Sequence, residues 1–76
     1  MKLRELKSII CVDEIIIYVH GTSQRFCKSK TDNDFTFWKD DNISLWDIYG
    51  NDEIDKIYID YISSDVNYEV ICIDLK

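Results

Sequence analysis

The sequence predicts an α+β domain, a five-stranded antiparallel sheet with two short helices packed on one face in the order α-β-β-β-α-β-β. Three observations predict it. The chain has 76 residues, which leaves room for a single domain spanning 1–76. It is 46% hydrophobic and contains no Pro and only two Gly; much of the apolar content is β-branched or aromatic, which suits a pleated surface. Finally, apolar residues alternate with period two over most of the length and follow helical spacing only twice.

Leu3, Leu6 and Ile10 fall at helical spacing among Lys2, Arg4, Glu5 and Lys7, which predicts an amphipathic helix over Lys2–Ile10. Glu14–His20 reads as a buried strand, with Ile15, Ile17 and Val19 on one face and Ile16, Tyr18 and His20 on the other. Gly21-Thr22-Ser23 signals a turn into an antiparallel strand over Gln24–Lys30. A second turn over Thr31–Asp34 leads to a short strand, Phe35–Lys39, with Phe35 and Phe37 opposite Trp38. Asp40-Asp41-Asn42 breaks the pattern. Ser44 with Asp47 resembles a capping box for a two-turn helix over Leu45–Tyr49 that ends at Gly50. Such a helix is too short to stand alone, so part of Leu45, Trp46, Ile48 and Tyr49 must pack on the sheet. Ile54–Ile62 and Tyr68–Leu75 are the last strands, joined by a hairpin loop over Ser63–Asn67.

Charge is uneven along the chain. Residues 1–39 carry seven Lys and Arg against five acids, and residues 40–76 carry two against ten. The net charge of −6 opposes direct binding to nucleic acid or to an anionic membrane and favours a partner with a basic surface. Acidity also maintains solubility without any partner. Lys2 and Arg4 are followed by Glu5 and Lys7 and not by an apolar core, so no secretory leader is expected. Three cysteines, Cys11, Cys27 and Cys72, are an odd number without paired spacing, which fits free thiols in a reducing cytoplasm.

Catalytic and metal constellations are poor. His20 and Cys27 could face each other across one hairpin as base and nucleophile, but no orienting group or oxyanion hole accompanies them. His20 and the cysteines lack zinc spacing, and neither Asp40-Asp41-Asn42 nor Asn51-Asp52-Glu53 forms a calcium loop. No catalytic residue, metal or cofactor is therefore expected. Asp60 and Asp74 stand either as cross-strand neighbours forming a charged docking face or apart in a different register. Ten aromatics in so short a chain exceed what its core can hide. Trp38, Tyr18 and Tyr58 share the expected outer face with acids, and Tyr and Trp anchor interfaces. The expected partner-binding residues are Asp52, Glu53, Asp55, Tyr58, Asp60, Asp74 and Trp38.

The opening Leu3-Arg4-Glu5-Leu6, the strand after it, the helix at Ser44–Tyr49 and the closing Val70-Ile71-Cys72-Ile73-Asp74-Leu75 resemble the layout of small phage and prophage proteins of low-GC bacteria. The Ile-, Asp-, Lys-, Asn- and Tyr-rich composition is what AT-rich codons produce. Some of those proteins are anti-CRISPR inhibitors, which are often small, acidic and non-enzymatic. The resemblance implies a role in the host bacterial cytoplasm as an inhibitor docking on the nucleic-acid-binding surface of a CRISPR effector nuclease. The alternative is a self-associating assembly protein, a homodimer among the possibilities, built through exposed strand edges.

Overall fold

The computed structural model describes residues 1–29, 34–60 and 69–76. A one-turn 3-10 segment, Leu3–Leu6, is followed by β1 (Glu14–Val19), β2 (Thr22–Lys28), β3 (Phe35–Phe37), β4 (Asp40–Ser44), α1 (Leu45–Tyr49), β5 (Ile54–Asp60) and β6 (Val70–Leu75). The strands form one sheet in the order β4-β3-β2-β1-β6-β5. The α+β class holds. The sheet, however, is six-stranded, because Asp40–Ser44 adds a strand, and mixed, because β6 runs parallel to β1 with Ile15 beside Ile71 and Ile17 beside Ile73. The expected turn over Thr31–Asp34, apart from Asp34, and the hairpin loop over Ser63–Asn67 lie outside the described residues, as do Lys30, Tyr61, Ile62 and Tyr68 at the expected strand ends.

Position in the sheet explains the composition of each strand. In β1, Glu14, Ile15, Ile16 and Ile17 are all buried, so this strand is covered on both faces. A central strand with a parallel neighbour needs such a continuous apolar run. β4 is the reverse. Asp40-Asp41-Asn42, expected to break the pattern, forms an exposed edge strand whose register against β3 shifts between Thr36 and Phe37. Charged residues are poor strand formers, but they are tolerated at an edge, where they discourage pairing with another chain.

The core lies on one face of the sheet. Ile15, Ile17, Phe26, Phe35, Ile73 and Leu75 pack there against Leu3, Leu6, Leu45 and Trp46. Aromatic rings interlock edge to face within it: Phe26 meets Tyr49 at 6.1 Å and 89°, and Phe35 meets Trp46 at 6.3 Å and 83°. The 3-10 segment and α1 therefore cover the same face, but among the described residues only α1 is an α-helix, against the two expected. The opening segment is much shorter than the helix expected over Lys2–Ile10. Its backbone is engaged elsewhere: Leu3 N donates to Asp52 O, Arg4 N donates to Gly50 O, and Lys2 bridges Glu53 as an antiparallel pair. A nine-residue helix has little intrinsic stability, and these tertiary bonds displace it.

The second helix has the expected bounds, with Leu45 and Trp46 buried. It lacks the expected capping box. Ser44 Oγ bonds Asp34 Oδ1 at 2.7 Å and makes no capping bond. Gly50 closes the helix in a right-handed conformation, φ −55°, and a Cβ there would collide with the Trp46 carbonyl oxygen.

His20 and Gly21, and not Gly21-Thr22-Ser23, form the turn between β1 and β2, with φ of 51° and 78°; Thr22 and Ser23 already pair with Val19 and Tyr18 in the ladder. Two positive φ values mark the turn whose twist matches a hairpin, and Asn-Gly is its preferred sequence. His20 is the one non-glycine residue with positive φ among those described. His20→Asn should therefore stabilise the fold by about 0.5 kcal/mol, a fraction of the roughly 1–2 kcal/mol left-handed penalty, measured as a higher urea midpoint with an unchanged slope.

Candidate binding surface

The face of the sheet opposite the core can be read row by row from the strand registers. One row runs Lys56, Asp74, Tyr18, Ser23 across β5, β6, β1 and β2. The next runs Tyr58, Cys72, Ile16, Arg25, and the third Asp60, Val70, Glu14, Cys27. Ile16, Val70 and Cys72 form a second, smaller buried cluster on this side.

Glu14 is only 2% exposed, and its carboxylate accepts from Arg25 Nε across the β1–β2 ladder. The Cys27 thiol lies 3.6 Å from the same oxygen, Glu14 Oε1. Burial, and then the adjacent Glu14 charge, push the Cys27 thiol above its ordinary value of 9.0. Such a thiol stays protonated near neutral pH, the opposite of an activated nucleophile. His20 does not change this. It sits in the turn beyond Val19, whereas Cys27 pairs with Glu14 at the far end of the hairpin. The intervening strand spans roughly 17 Å, so the two cannot form a dyad. No group of three or more metal-ligating side chains occurs among the described residues. Nor is any helix there long and apolar enough to cross a membrane.

Tyr18 and Tyr58 stack across β6, with centroids 6.4 Å apart and planes 20° from parallel. Tyr58 Oη donates to Asp74 Oδ1 at 3.1 Å. Desolvation of the phenol, and then this bond and the Asp74 charge, push the Tyr58 pKa up to about 12. The two residues are still 36% and 42% exposed, so their rings form an aromatic surface spanning β1 and β5.

The sequence-expected residues divide into two places. Asp52, Glu53, Asp55, Tyr58, Asp60 and Asp74 all lie along β5, on β6 beside it, or in the connection entering it. Trp38 does not join them. It occupies the turn between β3 and β4, 52% exposed, with Lys39 Nζ 4.7 Å from its ring centroid. Four strand spacings separate β3 from β5, roughly 19 Å. Trp38 instead borders a separate cavity of about 480 Å³ with Lys28, Phe37 and Asp41.

The acids also differ among themselves. Asp74 faces Lys56 and Asp60 faces Val70, so Asp60 and Asp74 are not cross-strand neighbours. Glu53 Oε2 accepts from the Met1 amino group at 2.9 Å, which holds the Glu53 carboxyl below its ordinary value. That leaves Asp52 and Asp55 as exposed acids with no ion pair to a described residue. The charge separation seen along the sequence is therefore partly cancelled in space, where Lys2, Lys56 and Lys76 lie close to these acids.

Sequence reasoning missed the apolar side of this region. Ile57 and Ile59 point to the core face but are 45% and 66% exposed, and Ile9 is 70% exposed. Their alternation with Tyr58 is the pattern of a core-facing strand. What that pattern could not disclose is that β5 lies at the sheet edge, beyond the helical cover.

No protein-family model, curated protein or solved structure matches the chain.

Two measurements probe this surface. Arg25→Met leaves the buried Glu14 carboxylate without its guanidinium and should cost about 3 kcal/mol, the low end for breaking a buried pair because Arg25 reaches solvent; replacing both residues with Leu should recover much of the loss. In a spectroscopic titration, Tyr58 should ionise near 12, as shown by the component that Tyr58→Phe removes. Asp74→Asn should move it toward 10. An unfolded chain releases this proton near 10 while the folded chain retains it, so stability should fall as pH rises from about 10 to 12.

Proposed function

We propose that this chain is a non-enzymatic protein-binding domain that docks the β5 side of its sheet on a basic partner surface. The observation that carries the reading is the pair of exposed acids, Asp52 and Asp55, at the entry to β5, the strand whose Tyr58 stacks on Tyr18. Exposed carboxylates supply attraction to Lys and Arg, and aromatic rings supply contact area at small entropic cost. Separation of His20 from Cys27 and the raised Cys27 pKa support binding over catalysis. In its specific form the domain is a phage-encoded inhibitor of the anti-CRISPR kind. Its carboxylates then compete with nucleic-acid phosphates for the basic groove of an RNA-guided nuclease in the host cytoplasm.

The test is target-DNA cleavage by a panel of RNA-guided nucleases, with and without the chain, across a salt series. At least one nuclease should be inhibited, and inhibition should weaken as salt screens the contact. Asp52→Lys with Asp55→Lys should weaken inhibition by about tenfold or more, as expected for repulsive charges in a docked interface. Trp38→Ala should leave it unchanged. Inhibition that ignores both salt and the double substitution sinks the electrostatic docking, and a panel wholly unaffected by the chain sinks the inhibitor role.

A further inference from the structure

We infer that the outer edge of β5 pairs with β5 of a second copy of this chain, antiparallel about a two-fold axis through Tyr58, so that two sheets become one. This goes beyond docking to a basic partner, because it concerns the outer edge of the strand and not Asp52 and Asp55.

The two edges of the sheet are treated differently. β4 is guarded by exposed Asp40, Asp41 and Asn42. β5 instead presents Ile57, Tyr58 and Ile59 in succession, exposed by 45%, 42% and 66%. An apolar edge strand is a template for another strand. β4 is the poorer partner strand, since its exposed Asp40 and Asp41 offer no apolar residues to Ile57 and Ile59.

The sequence of β5 selects itself. A two-fold axis perpendicular to the sheet keeps each face on its own side, so residues facing each other differ by an even number of positions. Centred on Ile57, the pairing sets Asp55 against Ile59 and Lys56 against Tyr58. Centred on Ile59, it sets Tyr58 against Asp60. Centred on Tyr58, it sets Lys56 against Asp60, Ile57 against Ile59, and Tyr58 against itself. Only this last register pairs charge with opposite charge and apolar with apolar, the combinations that stabilise antiparallel strands. Each such pair occurs twice by symmetry, as in any two-fold interface.

The register also accounts for the uncovered apolar surface. On the core side, a groove of about 350 Å³ is lined by Leu6, Ile9, Val12, Ile57 and Ile71. Ile59 of the second copy stands opposite Ile57 and closes the mouth of this groove. On the other side, the Tyr58 rings of the two copies meet at the axis, each backed by its own Tyr18. Asp55 of each copy lies roughly 20 Å from its equivalent along the paired strands, so Asp52 and Asp55 remain outside the contact.

Sedimentation equilibrium of the purified chain across a concentration series tests the pairing, with circular dichroism to confirm that each variant is folded. The wild type should dimerise. Lys56→Asp alone and Asp60→Lys alone each place like charges opposite one another twice and should weaken association by about tenfold or more. An equimolar mixture of the two variants restores both opposite-charge pairs and should dimerise again. In a Cys11→Ser background, Tyr58→Cys should cross-link under mild oxidation, because directly opposed Cα atoms fall within disulfide range. Lys56→Cys, about 13 Å from its equivalent, should not. A wild type that stays monomeric throughout overturns the inference. So does a dimer that neither charge variant weakens and Tyr58→Cys does not cross-link. None of these readouts involves a nuclease, so either proposal can fail without the other.

Discussion

The parallel pairing of β1 with β6 is the constraint on which the rest of the molecule depends. It joins residues 56 positions apart, with Asp13 Oδ2 accepting from Glu69 N at 3.0 Å just before the ladder begins. Parallel neighbours cannot be joined by a tight turn. The chain between them must leave along β2, β3 and β4 on one side and come back to the other side of β6. That return is α1 and the connection after it, which lies across the core face and receives the opening segment through Leu3 N to Asp52 O and Arg4 N to Gly50 O. Once β6 is interior, β5 becomes the edge, with hydrogen-bonding groups and isoleucines on the outside.

The two faces of the sheet consequently have different chemistry. The covered face is apolar and ring-packed, and its order comes from shape. The other face carries a buried carboxylate answered by an arginine that reaches solvent. Removing Glu14 from water is costly unless it is paired, and Arg25 supplies that pairing from the adjacent strand. This contact favours the register Glu14 to Cys27 and Ile16 to Arg25, because a slip of one residue would turn Arg25 away from the carboxylate. The buried polar group therefore contributes to specifying the hairpin.

Local structure was legible in the sequence where local chemistry decides it. The bounds of α1, the Gly21 turn and the cores of the strands follow from periodicity and turn residues. The direction and neighbour of β6 do not, since Val70–Leu75 has the same alternation whether its partner is parallel or antiparallel. β4 was hidden because Asp40-Asp41-Asn42 has low strand propensity, which an edge position tolerates. Within the candidate surface, the grouping of Asp52, Asp55, Tyr58 and Asp74 was legible, since all but Asp74 lie close together in sequence. The separation of Trp38, the pairing of Asp74 with Lys56 and the exposure of Ile57 and Ile59 depend on strand order, which no local pattern encodes.

The parallel ladder also governs when this fold can exist. β1 is synthesised well before β6, as an apolar segment, Ile15-Ile16-Ile17, which is covered on both sides only after residues 70–75 have been added. Until then the β1–β2 hairpin exposes one flank to the cell. Contacts so distant in sequence are slow to form, and a chain held before them is prone to association. Completion of the native sheet thus waits on residues 70–75, and a chain arrested before them carries a hairpin without its central neighbour.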